Sequence, residues 1–465
     1  MLPKRILILG LGQTGLSVLH YCLARGITPV VMDTRSHPPG ADQLPDTIEH
    51  YFGELEHGGL TLAPLLAADL IIASPGVPLA TPELQQALNA GVDIIGDIEL
   101  LVRDCAKGDK PVPIIAITGS NGKSTVTTLV GEMAVEAGIK VGVGGNIGTP
   151  ALDLLLDSDK KAASELELVI LELSSFQLET TPSLAALAAT VLNISEDHLD
   201  RYDSLTHYRD TKLGIYRNSA LAVFNREDDQ TWPSILLATD TVPTSSFGLD
   251  DQAYGRIEHD GQLWLSRDCQ PVLPVSELKI LGSHNQLNAL AAMALADKVA
   301  IPQEAQINVL RRFTGLKHRC QFVADKKGVR WINDSKATNV GATLAAIDGL
   351  ANNSQVNEEK IGRLWLIAGG QGKGQDFSPL VPLLKDKLAG MVCFGQDRQQ
   401  LLALASNTEE VADLEQAVAW CAAQATAGDT VLFAPACASL DMYGNYQLRG
   451  EHFIRLVEAL WVEAL

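Results

Sequence analysis

Residues 119–124 (GSNGKS) form the segment whose composition points most directly to chemistry. They lie between an apolar run, residues 114–117, and a stretch with apolar residues at helical spacing, so they are predicted to form the turn between a strand and a helix. The backbone N–H groups of such a turn bind phosphate, Lys123 can reach the β- and γ-phosphates of a nucleotide, and the Ser124 hydroxyl can ligate Mg²⁺. Ile117 stands where the usual phosphate-binding loop has its first glycine, so this is a shortened variant. An ordinary turn with an exposed lysine is the less favoured alternative, given the strand and helix on either side.

A second glycine-rich turn, residues 10–15 (GLGQTG), follows the first apolar run of the chain, and Asp33 lies about 20 residues further on. This spacing is the fingerprint of dinucleotide-binding sites. The same turn can bind any diphosphate, including that of a nucleotide-linked substrate. A third interpretation, tight packing of a strand against a helix without a ligand, remains open.

Three polar side chains lie at or beyond the carboxyl ends of predicted central strands: Glu172, His198 and Lys212. Ligands of open α/β sheets bind at that edge. A carboxylate there can hold Mg²⁺ against ATP, whereas histidine is a less usual ligand for this ion. His198 is therefore only a candidate, and the residues alone favour a solvated helix lysine at Lys212.

Polar segments in the last third of the chain are residues 317–319 (KHR), 333–338 (NDSKAT), 369–374 (GGQGKG) and 435–439 (PACAS). Each lies at or near the end of a predicted strand. Their arginine and lysine side chains can bind phosphate or an anionic substrate. Each one alone is as readily a solvated charge, but together they indicate loops that face a shared cleft.

The elements that would position these groups alternate between short apolar runs and amphipathic helices, which predicts parallel sheets covered by helices. Strands are predicted at residues 6–9, 30–32, 69–73, 114–117, 168–171, 190–194, 221–224, 329–332, 364–368, 391–394 and 430–434. Helices are predicted at 16–25 and directly after residue 125, and an antiparallel appendage at 241–278. The predicted fold class is α/β with three domains. These are a Rossmann-like N-terminal domain (1–96), a central P-loop-type ATPase domain with a parallel sheet (97–315) and a Rossmann-like C-terminal domain (316–465).

The composition excludes several classes of protein. A formal net charge of −20 over 465 residues argues against nonspecific binding to nucleic acid, which depends on neutralising phosphates. The seven cysteines form no C-x-x-C pair, so there is no zinc or redox signature, and scattered thiols are typical of a reducing cytosol. No signal peptide and no apolar run of about 18 residues is present, so we expect a cytoplasmic protein without a membrane span.

Beyond these single motifs, the chain resembles the Mur ligase family over essentially its whole length. The resemblance is carried by residues 10–15, 117–125, 144–148, 171–179, 196–202, 313–319, 331–339 and 434–441. Within the family the likeness is strongest to members that add D-glutamate to UDP-N-acetylmuramoyl-L-alanine. It implies three domains, ATP and Mg²⁺ as cofactors, and a monomer. It also implies a reaction in which ATP phosphorylates a carboxylate and the amine of D-glutamate displaces the phosphate.

The resemblance also assigns roles to residues. Catalysis is expected at Lys123, His198 and Lys212, and ATP binding at Gly119, Asn121, Gly122, Lys123, Ser124, Thr125, Asn288, Arg319 and Asp334. The UDP-linked substrate is expected at Gly12, Thr14, Thr34, Arg35, Ser74, Gly76, Asn146, Ser174 and Gln177. D-Glutamate is expected at Lys336, Thr338, Lys373, Ser439 and Tyr446. The metal ligands would be Ser124, Glu172, His198 and Lys212, the last as a carbamylated lysine.

Other functions remain as alternatives. An NAD-dependent oxidoreductase is favoured only by the first 33 residues and leaves Lys123, Glu172 and His198 without a role. A noncatalytic nucleotide-binding regulator does not explain a lysine-bearing phosphate loop beside candidate metal ligands. Nearer alternatives are Mur ligases that add L-alanine, a diamino acid or a dipeptide, and, more distantly, folate polyglutamylating enzymes.

Overall fold

The computed structural model describes residues 3–53, 60–107, 110–156, 166–198, 201–235, 242–280, 282–353 and 362–460. Three sheets follow one another along the chain, each with helices packed on it. This arrangement confirms the predicted α/β class. No helix in these ranges is long and apolar enough to cross a membrane.

The first sheet has five strands: β1 (Ile6–Leu9), β2 (Val30–Asp33), β3 (His50–Phe52), β4 (Leu70–Ala73) and β5 (Asp93–Ile95). All pairs are parallel and the spatial order is β3-β2-β1-β4-β5. Its helices are α1 (Gln13–Ala24), α2 (Leu62–Ala67) and α3 (Pro82–Asn89), and α4 (Asp97–Cys105) follows the last strand. The strand order reverses between β1 and β4, which opens a crevice at their carboxyl ends.

The second sheet has nine strands: β6 (Ile114–Thr118), β7 (Val141–Gly145), β8 (Leu168–Glu172), β9 (Ala188–Val191), β10 (Ala222–Asn225), β11 (Thr244–Phe247), β12 (Tyr254–His259), β13 (Gln262–Arg267) and β14 (Gln270–Pro274). The order is β14-β13-β12-β11-β10-β9-β6-β8-β7, with antiparallel pairs only from β12 to β14. The helices are α5 (Lys123–Glu136), α6 (Ser175–Glu179), α7 (Leu205–Leu213), α8 (Ser283–Lys298) and α9 (Gln303–Arg312). The buried faces of α5, α8 and α9 share one apolar core with the strands.

The third sheet has six strands: β15 (Gln321–Lys326), β16 (Val329–Asn333), β17 (Leu364–Gly369), β18 (Leu388–Phe394), β19 (Thr408–Glu410) and β20 (Thr430–Phe433). The order is β15-β16-β20-β17-β18-β19, and only β15 is antiparallel to its neighbour. The helices are α10 (Val340–Asn353), α11 (Val381–Asp386), α12 (Arg398–Leu402), α13 (Leu414–Gln424) and α14 (Tyr446–Ala459).

The structure corrects three predicted elements. The first helix begins at Gln13 rather than residue 16, because the end of the glycine-rich turn is already its first turn. The strand predicted at 190–194 is β9, Ala188–Val191; the next residues leave the sheet and contact the phosphate-loop segment. The appendage predicted at 241–278 is only partly antiparallel, and it extends the central sheet because β11 pairs in parallel with β10.

Candidate active site

A cavity of about 1040 Å³ lies where the three sheets meet. It is lined by the turn after β4, by the loops after β6, β8 and β9, and by the loops after β16, β17 and β20. The predicted site residues that line it are Asn121, Gly122, Lys123, Thr125, Asn146, Glu172, Ser174, His198, Lys212, Asn288, Arg319, Asp334, Lys336, Thr338, Lys373, Ser439 and Tyr446. Residues far apart in sequence are therefore brought to a single site.

The remaining predicted residues lie outside the cavity lining. Gly119 and Ser124 belong to the phosphate-loop segment itself, whose neighbours line the cavity. Gln177 is buried, and its side-chain oxygen accepts from the N–H of Ser174 (3.0 Å) in a capping box that starts α6. The others, Gly12, Thr14, Thr34, Arg35, Ser74 and Gly76, lie beyond the carboxyl ends of β1, β2 and β4.

Asp33 holds the glycine-rich turn in place at the crevice of the first sheet. One oxygen of this buried carboxylate accepts from the N–H of Leu11 in the glycine-rich turn (2.7 Å), and Arg35 pairs with the same carboxylate (2.6 Å). A Cβ at Gly15 would lie 1.9 Å from the carbonyl oxygen of Gly10, so the close approach of strand and helix requires glycine there. The turn is thus held open toward the crevice, where a diphosphate can meet its N–H groups.

The phosphate loop between β6 and α5 is held by contacts with the segment after β9. Gly122, the residue before α5, has a φ of +81°, and a Cβ there would lie 2.5 Å from the side-chain oxygen of Asn288. The side chain of Asn193 accepts from the N–H of Asn121 (2.8 Å) and donates to its carbonyl oxygen (3.1 Å). The loop is therefore set before any nucleotide arrives, with the N-terminus of α5 pointing into the cavity.

Three lysines of the cavity have weakened proton affinity. Burial lowers the pKa of Lys123, whose amine donates to the carbonyl oxygens of Gly119 (2.8 Å) and Ser120 (2.9 Å). Burial, then the charges of Arg319 and Lys123, lowers the pKa of Lys336 to about 7. Lys212 is 2% exposed, and burial followed by the Lys123 charge lowers its pKa well below the usual range. A polyanionic ligand would restore the proton affinity of these clustered amines, so the cluster fits such a ligand.

Lys212 is not the solvated lysine that its sequence context alone favoured. Its amine donates to the carbonyl oxygen of Gly119 (3.0 Å) and lies 4.8 Å from the ring centre of Tyr208, one helical turn earlier on α7. The solvated interpretation is therefore wrong, because Tyr208 and Lys212 share the face of α7 that packs under the phosphate loop.

Glu172 is the last residue of β8, and only one of its two carboxylate oxygens accepts a hydrogen bond from the described residues. Its Oε1 accepts from the side chain of Asn146 (2.9 Å), whereas its buried Oε2 has no hydrogen-bond partner in the described part of the chain. A buried carboxylate oxygen in this condition is costly unless a cation or a donor meets it. Nowhere in that part do three His, Cys, Asp or Glu side chains gather as a metal site. A Mg²⁺ bound with a nucleotide needs only one or two protein carboxylates, so Glu172 fits this role.

His198 lines the cavity with its backbone in the left-handed region. Its φ is +56°, which is uncommon for a residue with a side chain. Its ring meets that of Phe176 edge-on at 4.8 Å, and on Phe176 lies the Arg201 guanidinium, 4.3 Å from the ring centre. Arg201 also donates to the carbonyl oxygen of Pro75 (3.2 Å) and to Glu179 (3.1 Å). It therefore connects the turn after β4 to the surroundings of His198.

Asp197 joins the central and last parts of the cavity. It forms an ion pair with Lys373, and its other oxygen accepts from the side chain of Asn339 (3.2 Å). Burial alone would raise the pKa of Asp197, but the facing Lys373 ammonium and His198 hold it at about 2. The carboxylate is therefore charged at any physiological pH.

The third-sheet side of the cavity carries two cationic side chains, Arg319 beside the phosphate loop and Lys336 beside Tyr446. Arg319 donates to the Ser124 hydroxyl of the phosphate loop (2.6 Å), and burial raises the pKa of nearby Asp334 to about 6. The Lys336 amine lies 4.2 Å from the ring centre of Tyr446. Below them the fully buried Arg449 donates to the Ser335 carbonyl (2.8 Å), which fixes the loop that carries Lys336.

Four residues of this arrangement were absent from the predicted site: Asp197, Arg201, Asn339 and Arg449. Asp197 and Arg201 flank His198 in residues 196–202, so their place in that motif was an available signal. Asn339 directly follows the predicted Thr338. Arg449 gave no signal, because its contacts depend on how α14 packs beneath two loops.

Chemically, the cavity combines a phosphate loop, a cation-accepting carboxylate and a separate cluster of ammonium groups. Such an arrangement can hold a nucleoside triphosphate beside an anionic second substrate and stabilise charge that develops between them.

Comparison with known families agrees with this geometry. Residues 4–96 match the N-terminal domain of MurD-like Mur ligases, residues 117–296 the Mur ligase middle domain, and residues 318–437 the Mur ligase glutamate ligase domain. The chain is 50% identical over 459 residues to UDP-N-acetylmuramoylalanine–D-glutamate ligases of Pectobacterium atrosepticum and Escherichia coli K12, covering 98% of each chain.

Solved structures share the fold. The MurF ligase of Thermotoga maritima, in complex with ADP, has a TM-score of 0.60 at 15% identity, covering 97% of this chain and 94% of that one. The UDP-N-acetylmuramate-alanine ligase MurC of the same organism has a TM-score of 0.58 at 20% identity, covering 98% and 99%. Three matched domain families in order, together with relatives of 50% identity over nearly the full length, place this chain in the Mur ligase family.

Proposed function

We propose that this protein is an ATP-dependent ligase that joins D-glutamate to UDP-N-acetylmuramoyl-L-alanine in peptidoglycan precursor synthesis. The observation that carries the proposal is the single cavity that combines Lys123, the half-satisfied Glu172 and the anion-facing Lys336 and Lys373. The relatives that are 50% identical carry the name of this activity, which supports the choice of substrates. The Gly10–Gly15 turn then serves the UDP diphosphate, and no nicotinamide is required.

In the first step, a carboxylate oxygen of the precursor attacks the γ-phosphorus of ATP, ADP departs, and an acyl phosphate forms. Lys123 and the N–H groups at the start of α5 stabilise the charge on the transferring group. Arg319, which contacts Ser124 of the loop, closes the nucleotide side from the third sheet. Asn288, beside Gly122, is assigned to the adenosine together with Asp334.

In the second step, the neutral amine of D-glutamate attacks the acyl carbon. The tetrahedral intermediate loses phosphate, and the nitrogen loses a proton to leave an amide. The ammonium groups of Lys336 and Lys373 bind the carboxylates of D-glutamate, with Thr338, Ser439 and Tyr446 around them. Catalysis here consists mainly of holding the amine beside the acyl carbon.

Magnesium is the cation that fits Glu172. We assign Ser124 and Glu172 to one ion and His198 and a carbamylated Lys212 to a second, and these ions would neutralise phosphate charge when bound. The lowered pKa of Lys212 supports carbamylation, because a neutral amine can add to CO₂ and release a proton. The product is an anion, which replaces repulsion from Lys123 by attraction.

The assignment extends to the whole chain. Residues 1–96 bind the UDP moiety through the first crevice, residues 97–315 bind ATP, and residues 316–465 contact D-glutamate and ATP. We also propose that the enzyme is a monomer.

The test is phosphate release from Mg-ATP in the presence of UDP-N-acetylmuramoyl-L-alanine and a panel of amino acids. We expect release that requires both the precursor and D-glutamate. Release with L-alanine or a diamino acid instead would keep the family and overturn the substrate. Absence of release with every amino acid would overturn the proposal.

A further inference from the structure

Asn339 is fixed at the start of α10 in the third-sheet region. It is 2% exposed, and its side-chain oxygen accepts from the N–H of Ala342 (2.8 Å). This is the bond of a helix N-cap, which satisfies one of the free N–H groups of the first turn. The carboxamide therefore has one orientation, with its amino group pointing away from the helix.

The same carboxamide contacts the phosphate loop of the central domain. Asn339 donates to the side-chain oxygen of Asn121 (3.3 Å), and Asn121 donates back to Asn339 (3.4 Å). The backbone of Asn121 is already clamped by Asn193 on both sides. A residue of the phosphate loop thus contacts the residue that caps α10.

A third bond leads on to the amino-acid side of the cavity. Asn339 donates to Oδ2 of Asp197 (3.2 Å), and Oδ1 of Asp197 is the partner of Lys373. One buried carboxamide therefore contacts a group of the phosphate loop and the counter-ion of a lysine assigned to D-glutamate.

We propose that Asn339 is a positioning residue that couples the phosphate loop to the amino-acid site. Its bond to Asp197 fixes that carboxylate, and through it the Lys373 ammonium, at a set distance from Asn121 of the phosphate loop. The identity of the ligand at Lys373 rests on the proposed function, whereas the coupling of the two parts of the protein does not.

The chemistry of the position explains why an amide is needed. The side-chain oxygen caps α10 while the amino group donates to two oxygens, and only asparagine of this length supplies both. A carboxylate would still cap the helix, but it would place a second negative charge beside Asp197 in a buried site. Serine would keep the cap alone.

The test compares Asn339→Asp and Asn339→Ser with wild type in steady-state kinetics. We expect Asn339→Asp to raise KM for D-glutamate at least about tenfold, because bonds to a charged group are lost, with KM for the UDP-linked precursor within about twofold of wild type. The KM of Asn339→Ser for D-glutamate should lie between those of wild type and Asn339→Asp. Both variants keep the cap. Thermal unfolding of Asn339→Ser should stay near wild type, whereas the second buried charge of Asn339→Asp should lower its Tm, so a raised KM for D-glutamate in Asn339→Ser separates positioning from loss of stability.

Asp413→Asn is the matched control. Asp413 caps α13 of the same region by accepting from the N–H of Gln416 (2.9 Å) and lies outside the cavity lining. Because Asp413 lies away from the cavity, replacing its carboxylate by an amide should leave the KM values for all three substrates unchanged. An unchanged KM for D-glutamate in Asn339→Asp, or an equal rise for every substrate, would overturn the coupling.

A second readout separates this inference from the choice of substrate. The bonds of Asn339 hold the third-sheet region against the central region. With a non-hydrolysable ATP analogue bound, solution scattering should therefore give a smaller radius of gyration for wild type than for Asn339→Asp. Equal radii would overturn the coupling. If wild type failed to use D-glutamate but the radii differed, the proposed function would fall and the coupling would stand.

Discussion

Lys336→Met is expected to make the ligand-free protein more stable while it removes activity. In the folded chain the pKa of Lys336 is about 7, compared with 10.5 for the free side chain, because of burial and then the charges of Arg319 and Lys123. Keeping this ammonium charged in the folded protein therefore costs free energy. Methionine has a similar length and no charge to desolvate.

The size of the effect follows from the pKa. At 1.36 kcal/mol per tenfold change in proton affinity, the shift corresponds to about 5 kcal/mol. Lys336 is half-buried by accessible surface although it lies deep among other charges, so solvent screening reduces this to about 2–4 kcal/mol. For a domain of roughly 150 residues that is an increase in Tm of roughly 5–10 °C.

The pH dependence has a definite sign. Between pH 7 and 10.5 the unfolded lysine holds a proton that the folded one has lost, so wild-type stability rises with pH in this window. The advantage of Lys336→Met should be complete below pH 7 and shrink steadily above it. Thermal unfolding of wild type and variant from pH 6 to 9.5 measures this difference directly.

The control is Lys385→Met, an exposed lysine of α11 in the same region, which should change Tm little at any pH. If Lys336→Met were no more stable than wild type at pH 6, or if its advantage did not shrink with rising pH, the electrostatic account of the cavity would be refuted. Activity should fall in either case, since the ammonium is assigned to D-glutamate.

Three other substitutions test the assigned chemistry. Lys123→Ala should reduce phosphate release by at least about 10²–10³-fold, because stabilisation of charge on the transferring phosphate is lost. Lys212→Ala should be severely impaired, and added acetate or formate should partly restore its kcat by supplying the missing anion. Arg201→Met should raise KM for the UDP-linked precursor about tenfold, because its bond to the turn after β4 and its charged bond to Glu179 are lost, with KM for ATP unchanged.

Each of these has a result that would contradict it. Wild-type release by Lys123→Ala would remove the phosphate loop from the mechanism. Full activity of Lys212→Ala without any added carboxylate would remove the carbamate. For Arg201 the matched control is Arg226→Met, because Arg226 also pairs with a carboxylate and donates to a backbone carbonyl, but its partners are Asp250 and Gln252 rather than the turn after β4. Equal effects of both variants on the precursor KM would make Arg201 merely structural.

The phosphate loop was predictable from sequence because its chemistry depends on adjacent residues. A strand, two glycines, a lysine and a helix are all local, and the structure keeps them where the pattern placed them. The three α/β units were likewise predictable, since buried parallel strands are short apolar runs.

The rest of the site depends on packing between distant segments. Lys212 lies on a short helix whose sequence is mostly polar, so nothing local distinguishes its buried face from a solvated one. Arg449 and Asn339 act through contacts with residues far away in the chain. The strands β3, β5, β7, β15 and β19 were not predicted. Three of them have only three residues, β7 is rich in glycine, and half of the residues of β15 are polar.

The most direct test of the mechanism is the fate of oxygen in the precursor. UDP-N-acetylmuramoyl-L-alanine labelled with ¹⁸O at both oxygens of its terminal carboxylate would be turned over with Mg-ATP and D-glutamate, and the phosphate analysed by mass spectrometry. If the carboxylate attacks the γ-phosphorus, each phosphate released must carry one ¹⁸O, and the amide product must retain the other. Phosphate without label, alongside normal formation of the amide, would contradict the acyl phosphate.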